Sequence, residues 1–191
     1  LSKYKDPESK KYISASALKQ YISCPLAFYL KYIEDISVDE EVPEYMDDIT
    51  FGSIIHAVAE KLYMNFKGDK DKVLITRNTL DDFIKNEEEI NRQITYAVNM
   101  HYNKLGKNNS TPLIGDSKVL GDIMLRFIKL MFEKEKEFDD FYFIDAEKKV
   151  LGQWEINDKH TINFKMIIDR IDEVKIGEKY VLRFVDYKTG T

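Results

Sequence analysis

Cysteine is nearly missing from this sequence: Cys24 is the one thiol in 191 residues. A single cysteine excludes an internal disulfide framework and suits a reducing compartment, so a cytoplasmic setting is expected. Long apolar runs are missing as well. None approaches the ~20 residues that a membrane helix needs, and the opening Leu1-Ser2-Lys3-Tyr4-Lys5-Asp6 has no apolar core of a signal peptide. A soluble protein without a membrane partner is therefore expected. An excess of positive charge is also lacking. With 29 basic against 34 acidic residues the net charge is −5, which argues against a chain that coats nucleic acid through its overall field. It leaves open local binding of phosphate through a bound metal and a basic patch. Proline (4) and glycine (8) are too few for a fibrous or low-complexity chain.

What is present is aromatic and apolar: 12 tyrosines, 11 phenylalanines and 43% hydrophobic residues, enough for one well-packed domain. Ser14-Ala15-Ser16 offers helix caps, and Leu18, Tyr21 and Ile22 follow at helical spacing. Pro25 starts a second short helix, with Leu26, Tyr29, Leu30 and Ile33 on one stripe. The acidic run from Glu34 to Asp48 reads as a solvated loop. Ile54 to Tyr63 is apolar almost all round, which predicts a buried helix. Residues 79 to 105 predict one or two helices, 104 to 112 a loop, and Leu120 to Met131 an amphipathic helix. From Phe141 the period changes to two. Strands are expected at about 142 to 156, 161 to 174 and 179 to 188, forming an antiparallel meander with turn signals at 157 to 159 and at Gly177. Helices first and strands afterwards indicate an α+β fold.

The last two strands carry carboxylates where buried strands are normally apolar. Side chains alternate faces with period two, so Asp186 and Lys188 share a face with Leu182 and Phe184, and Asp169 shares one with Ile167 and Ile171. Taking apolar neighbours to mark the covered face puts Asp169 and Asp186 on one side of the sheet, at the edge of the core. Paired carboxylates in that position are costly unless compensated, and a divalent cation would compensate them. Oxygen donors from two strands suit Mg²⁺ or Mn²⁺. Taken alone, Asp186-x-Lys188 is equally the spacing of a surface ion pair.

The context is more specific. Ile168-Asp169-Arg170-Ile171-Asp172, a turn, then Val185-Asp186-Tyr187-Lys188-Thr189-Gly190 resembles the signature of the PD-(D/E)XK nuclease superfamily, in particular its RecB/AddB-like branch. Phe51-Gly52-Ser53-Ile54-Ile55-His56 with Glu60 resembles that branch's helical histidine motif. Ser14-x-Ser16-x-Leu18 through Tyr21, Cys24-Pro25 and Phe28 resembles its amino-terminal helix motif. The resemblance implies a restriction-endonuclease-like core, with N-terminal helices packed on a mixed sheet whose first three strands are the antiparallel meander. It implies one truncated nuclease domain over 1–191, mainly helical over 1–138 and carrying a three-stranded catalytic sheet over 139–191. It further implies metal-dependent hydrolysis of DNA phosphodiesters, with His56, Asp169, Asp186 and the Tyr187 carbonyl holding Mg²⁺ or Mn²⁺. Asp169, Asp186 and Lys188 would be the catalytic set. DNA and a helicase domain or subunit are the implied partners, in repair or recombination. A catalytically inactive nuclease-fold module for DNA binding or scaffolding is the rival.

Supporting roles follow with less behind them. Glu60, one turn after His56, is positioned to orient it. Glu147 resembles an acidic position of some relatives, although Asp145 and Lys149 at the same parity suggest a solvated edge. Arg170, Lys165 and Lys175 offer phosphate contacts, and His101 and His160 read as structural or surface residues. The sequence departs from the pattern in three places. Met166 stands where the family usually has glycine. Cys24 matches the first of four iron–sulfur ligands of some relatives, but a cluster needs about four thiolates and the others would have to lie outside this chain. Cys24 is therefore expected to be a buried thiol within this chain and, alternatively, an iron–sulfur ligand in a longer parent. The helix that follows the lysine in the family does not occur before Thr191, and a fragment of a longer chain is expected.

Overall fold

The computed structural model describes residues 2–5, 9–36, 47–157 and 160–188. Thr189 and Gly190 of the last motif, and most of the acidic run expected as a loop (37–46), lie outside the described residues. The chain divides into two compact units, Leu1–Val42 with Lys149–Ile167, and Pro43–Lys148 with Ile168–Thr191.

In the first unit, helix α1 (Ser2–Lys5) and strand β1 (Ile13–Ser14) precede helices α2 (Ala15–Ser23) and α3 (Pro25–Phe28), which continues into a π-helical turn at Tyr29–Ile33. Ser14 caps α2 by accepting from the Ala17 amide at 3.2 Å, and Pro25 opens α3, as the sequence indicates. β1 pairs in parallel with β4 (His160–Ile176), Ile13 opposite Phe164. A two-residue strand carries no periodicity, so β1 leaves no sequence signal. Phe28 is buried between Tyr21 and Tyr32, whereas Cys24, expected to be buried, is exposed. It forms the break between α2 and α3, where the extended backbone that ends one helix and precedes a proline turns the residue out of either packing stripe.

The second unit contains α4 (Asp48–Lys67), β2 (Val73–Ile75), α5 (Arg77–Lys85), α6 (Glu87–His101), α7 (Asp116–Glu135), the first part of β3 (Phe141–Asn157), the second part of β4 and β5 (Lys179–Val185). The helices match the expected segments, with the 79–105 region split at Asn86, which caps α6 by accepting from Glu89. Ile54, Ile55, Val58, Ala59, Leu62 and Tyr63 of α4 are buried, and α6 packs across α4. Fully buried Tyr63 stacks on Phe143 with ring centroids 5.0 Å apart and meets Phe132 of α7 edge-on at 5.8 Å. Truncating Phe132, which is 0% exposed, to alanine is expected to destabilise the protein by about 3–5 kcal/mol in urea unfolding.

β2 pairs antiparallel with β3, Ile75 opposite Phe141. β5 pairs antiparallel with β4 from Ile176↔Lys179 to Arg170↔Val185, with Gly177 (φ +61°) in the turn. The sheet is thus mixed, as expected, although β1 and β2 precede the meander in the chain.

The covered face of the hairpin is the reverse of the expected one. Leu182 and Phe184 are 58% and 62% exposed, while Arg170 and Asp172 are 3% and 0% exposed. The apolar row therefore faces outward and the charged row inward. Burial of the charged row is tolerable because its members neutralise one another. Arg170 ion-pairs with Glu135 of α7 and with Asp172, and Arg183, directly opposite Asp172 in register, donates to Asp172 at 2.9 and 3.1 Å. Two guanidinium and two carboxylate groups make a neutral set.

Candidate metal centre

α4 delivers His56 from a helix whose N-terminus is fixed by Asp47, which accepts from the Thr50 amide at 2.7 Å. The β4–β5 ladder ends at Arg170↔Val185, one residue short of Asp169 on β4 and of Asp186 beyond β5. Beyond Val185 the strand ends, and Asp186, Tyr187 and Lys188 follow without ladder pairing. Asp186 and Lys188 remain on the exposed side and Tyr187 turns the other way.

Within this unit His56, Glu147 and Asp169 each place a ligand atom within 4.8 Å of the others. His56 Nδ1 lies 3.1 Å from Glu147 Oε1 and 3.7 Å from Asp169 Oδ1, and its Nε2 lies 3.2 Å from the Tyr187 carbonyl oxygen. The Tyr187 amide donates to Asp169 Oδ2 at 2.7 Å. Both ring nitrogens of His56 therefore face acceptors, an arrangement that favours the imidazolium. Glu147 is the main cause of the upward shift of the His56 pKa, opposed by burial and aided by Asp169. Burial likewise raises Asp169 above the usual carboxylate value, with Asp186 and Glu147 adding repulsion. Two carboxylates thus share a partly buried spot with one imidazole. One nitrogen and two carboxylate donors on such a spot fit a divalent cation.

Glu147 is where sequence reasoning was furthest from the structure. Burial in β3 falls on Phe141 and Phe143 but then on Ala146, so the alternation slips by one residue. Glu147 itself takes φ +47°, a left-handed conformation that costs a non-glycine residue about 1–3 kcal/mol and is characteristic of β-bulges, which re-aim side chains next to sites. The parity that grouped Glu147 with Asp145 and Lys149 does not survive this slip. No glycine or asparagine marks the slip in the sequence.

Other expected site residues fall elsewhere. Asp186 and Lys188 pair with each other at the rim, Nζ to carboxylate 2.7 and 2.8 Å, with side chains 63% and 77% exposed. The bond from Asp186 raises the Lys188 pKa, so the side chain is an ammonium at neutral pH. Glu60 does not orient His56: it pairs with Lys61, and Glu147 occupies the Nδ1 side. Arg170 is too buried to meet phosphate, and its guanidinium is already committed to Glu135 and Asp172. Lys165 and Lys175 are exposed. His160 is a surface residue bonded to Asn157, and His101, lowered in pKa by burial, closes α6.

This geometry has a pH consequence. The raised His56 value means that the folded state favours the imidazolium. Its stabilising contribution is complete below the ordinary value of 6.5 and is lost as pH rises through the higher folded value. The raised Asp169 value acts in the same sense at lower pH, favouring the protonated carboxyl and losing its effect as pH rises. Without added metal, the Tm should be higher at about pH 6 than at about pH 8, and saturating Mn²⁺ should reverse the order because it competes with these protons. In His56→Gln the neutral-range part of the difference should disappear.

The sequence model of the PD-(D/E)XK nuclease superfamily matches residues 12–191. The chain belongs to that superfamily. It is similar to an ATP-dependent helicase/deoxyribonuclease subunit from Clostridium perfringens (strain 13 / Type A), 24% identical over 194 residues, which cover 98% of this chain and 16% of that protein. It is also similar to the ATP-dependent helicase/deoxyribonuclease subunit of the same kind from Carboxydothermus hydrogenoformans, 28% identical over 203 residues, covering 98% of this chain and 17% of that protein. The chain spans about a sixth of the length of these curated relatives. Among the described residues no helix is long and apolar enough to cross a membrane.

Proposed function

We propose that this nuclease domain hydrolyses DNA phosphodiesters with Mg²⁺ or Mn²⁺ held by His56, Glu147, Asp169 and the Tyr187 carbonyl. The observation that carries the reading is the convergence of His56, Glu147 and Asp169 from α4, β3 and β4, with the Tyr187 carbonyl against the other ring nitrogen of His56. Residues distant in sequence meet at a point where two of them are held away from their ordinary ionisation. A bound cation would polarise the scissile phosphate and offset charge on the leaving oxygen.

The chain's own groups define the remaining roles. The Tyr187 amide fixes one oxygen of Asp169 and leaves the other directed at the cluster. Lys188, kept protonated by Asp186, acts as a mobile cation and hydrogen-bond donor. It orients the attacking water and neutralises the phosphate as charge builds. Asp186, which ion-pairs with Lys188 at the rim, would offer a further carboxylate to the cation when Lys188 turns to the substrate.

The relatives' names support service in a helicase–deoxyribonuclease assembly. Exonuclease action in DNA repair or recombination is what the motif resemblance implies, and a cytoplasmic setting is what the single cysteine suggests. The test is cleavage of linear DNA with Mg²⁺, with Mn²⁺ and with EDTA. Metal-dependent loss of substrate is expected. Mn²⁺ binding without cleavage in any substrate form would favour the inactive, DNA-docking module instead.

A further inference from the structure

Tyr187 belongs to two networks at once. Its backbone touches the metal centre, the amide donating to Asp169 and the carbonyl facing His56. Its side chain leads into the buried ionic set. The phenol oxygen accepts from Arg170 Nη1 at 2.7 Å and donates to Glu135 Oε1 at 3.5 Å, and the ring meets His56 edge-on at 5.8 Å. Behind it, Glu135 accepts from the Tyr63 hydroxyl and from Arg170, and Arg170 Nη1 also donates to Tyr63 at 3.0 Å. Tyr63 and Glu135 come from α4 and α7, and Arg170 is adjacent to the ligand Asp169 in β4.

The placement of the 186–188 segment needs an explanation, because the β4–β5 ladder ends at Arg170↔Val185 and does not reach Tyr187. The Tyr187 backbone bonds only to side chains of the centre itself, Asp169 and His56, so the restraint independent of those ligands comes from the Tyr187 side chain. We infer that Glu135, Arg170 and the Tyr187 hydroxyl form a positioning device that sets the Tyr187 carbonyl and Asp169 at coordinating distance. The inference rests on the metal-centre reading above. None of the three side-chain groups is a ligand. They act by locating the backbone between two ligands, and donor geometry has to be held within about 0.5 Å to be productive.

The ionic set gives this device its stiffness. Arg170 has partners on several sides, Asp172 locks it through a second guanidinium from Arg183, and aromatic rings of Tyr63 and Phe141 flank it at 5.0 and 4.9 Å. A shift of Tyr187 would leave a buried donor and a buried acceptor without their present partner, which opposes drift of the segment. A purely structural role predicts something else: loss of the hydroxyl would then lower stability and leave the centre's affinity for metal unchanged.

The experiment is calorimetric titration of the full chain with Mn²⁺, alongside thermal unfolding, for wild type, Tyr187→Phe, Glu135→Gln and the double variant. Tyr187→Phe keeps the ring and leaves Arg170 with Glu135, Asp172 and Tyr63. Its Mn²⁺ dissociation constant should rise about tenfold or more, the range for groups that orient ligands, with Tm close to wild type. Glu135→Gln should shift the constant in the same direction, and the double variant should weaken it by less than the product of the singles, since both act through one hydroxyl. If Glu135→Gln fails to fold, Tyr187→Phe alone decides the matter. Wild-type affinity in Tyr187→Phe would overturn the positioning role and leave the metal centre standing. Failure of the wild-type chain to bind Mn²⁺ would overturn both.

Discussion

Asp169→Asn is expected to abolish Mn²⁺ binding and to lower DNA cleavage by about a thousandfold while raising, not lowering, the thermal stability of the metal-free protein. The loss follows from the position of Asp169: one oxygen is fixed by the Tyr187 amide and the other lies beside His56 and Glu147, so its charge is aimed at the cluster. A cation supplies several kcal/mol of charge stabilisation in the transition state, and about 4 kcal/mol corresponds to about a thousandfold in rate. The gain in stability follows from the raised pKa. Burial, together with repulsion from Asp186 and Glu147, outweighs the favourable effects of the Tyr187 amide and His56, so a neutral amide of the same shape removes a net cost at neutral pH. Opposite signs for stability and function distinguish a site residue from a merely structural one. Calorimetry, a cleavage assay and a melting curve on the same preparation read all three effects.

The second large effect is expected at Lys188. Lys188→Ala should retain wild-type Mn²⁺ affinity and melting temperature yet lose about 10²–10⁴-fold in cleavage rate, the usual contribution of a positioned proton-transfer or orienting group. Its side chain is 77% exposed and, among the described residues, its only ion pair is with Asp186 at the rim, so folding does not depend on it. The raised pKa makes it an ammonium throughout the neutral range. It therefore donates hydrogen bonds and charge, and the fall in activity should be similar at every neutral pH. A loss that grows towards the alkaline side would instead identify Lys188 as a base, because only the neutral amine accepts a proton.

Much of the scaffold can be read from the residues. The apolar periodicity of α4, α6 and α7, and the change to period two at Phe141, locate the helices and the meander because those segments bury a face. Two strands escape such reading. β1 and β2 have two and three residues, too short to show alternation, and exist only because a longer strand pairs with them. For the site, period-two reasoning sets Lys188 beside Asp186, and the two ion-pair; it groups Asp169 with Asp186, whereas Asp169 meets His56 and Glu147. It misassigns the covered face, since it takes Leu182 and Phe184 as inward. Burial of Arg170 and Asp172 depends on partners at Glu135 and Arg183, and such pairing across the fold has no local signature. Glu147 is lost for a different reason: a left-handed residue inside β3 changes the parity, and the sequence offers no glycine there to announce it. The resemblance to the nuclease motifs supplied His56, which a lone imidazole on an apolar helix would not have revealed.

The metal centre itself is tested most directly by anomalous diffraction from crystals of the protein grown with Mn²⁺. A single strong peak is expected in contact with His56, Glu147, Asp169 and the Tyr187 carbonyl, with Glu60 and Arg170 away from it. A peak coordinated elsewhere, or Mn²⁺-saturated crystals with no density among those four groups, would contradict the account.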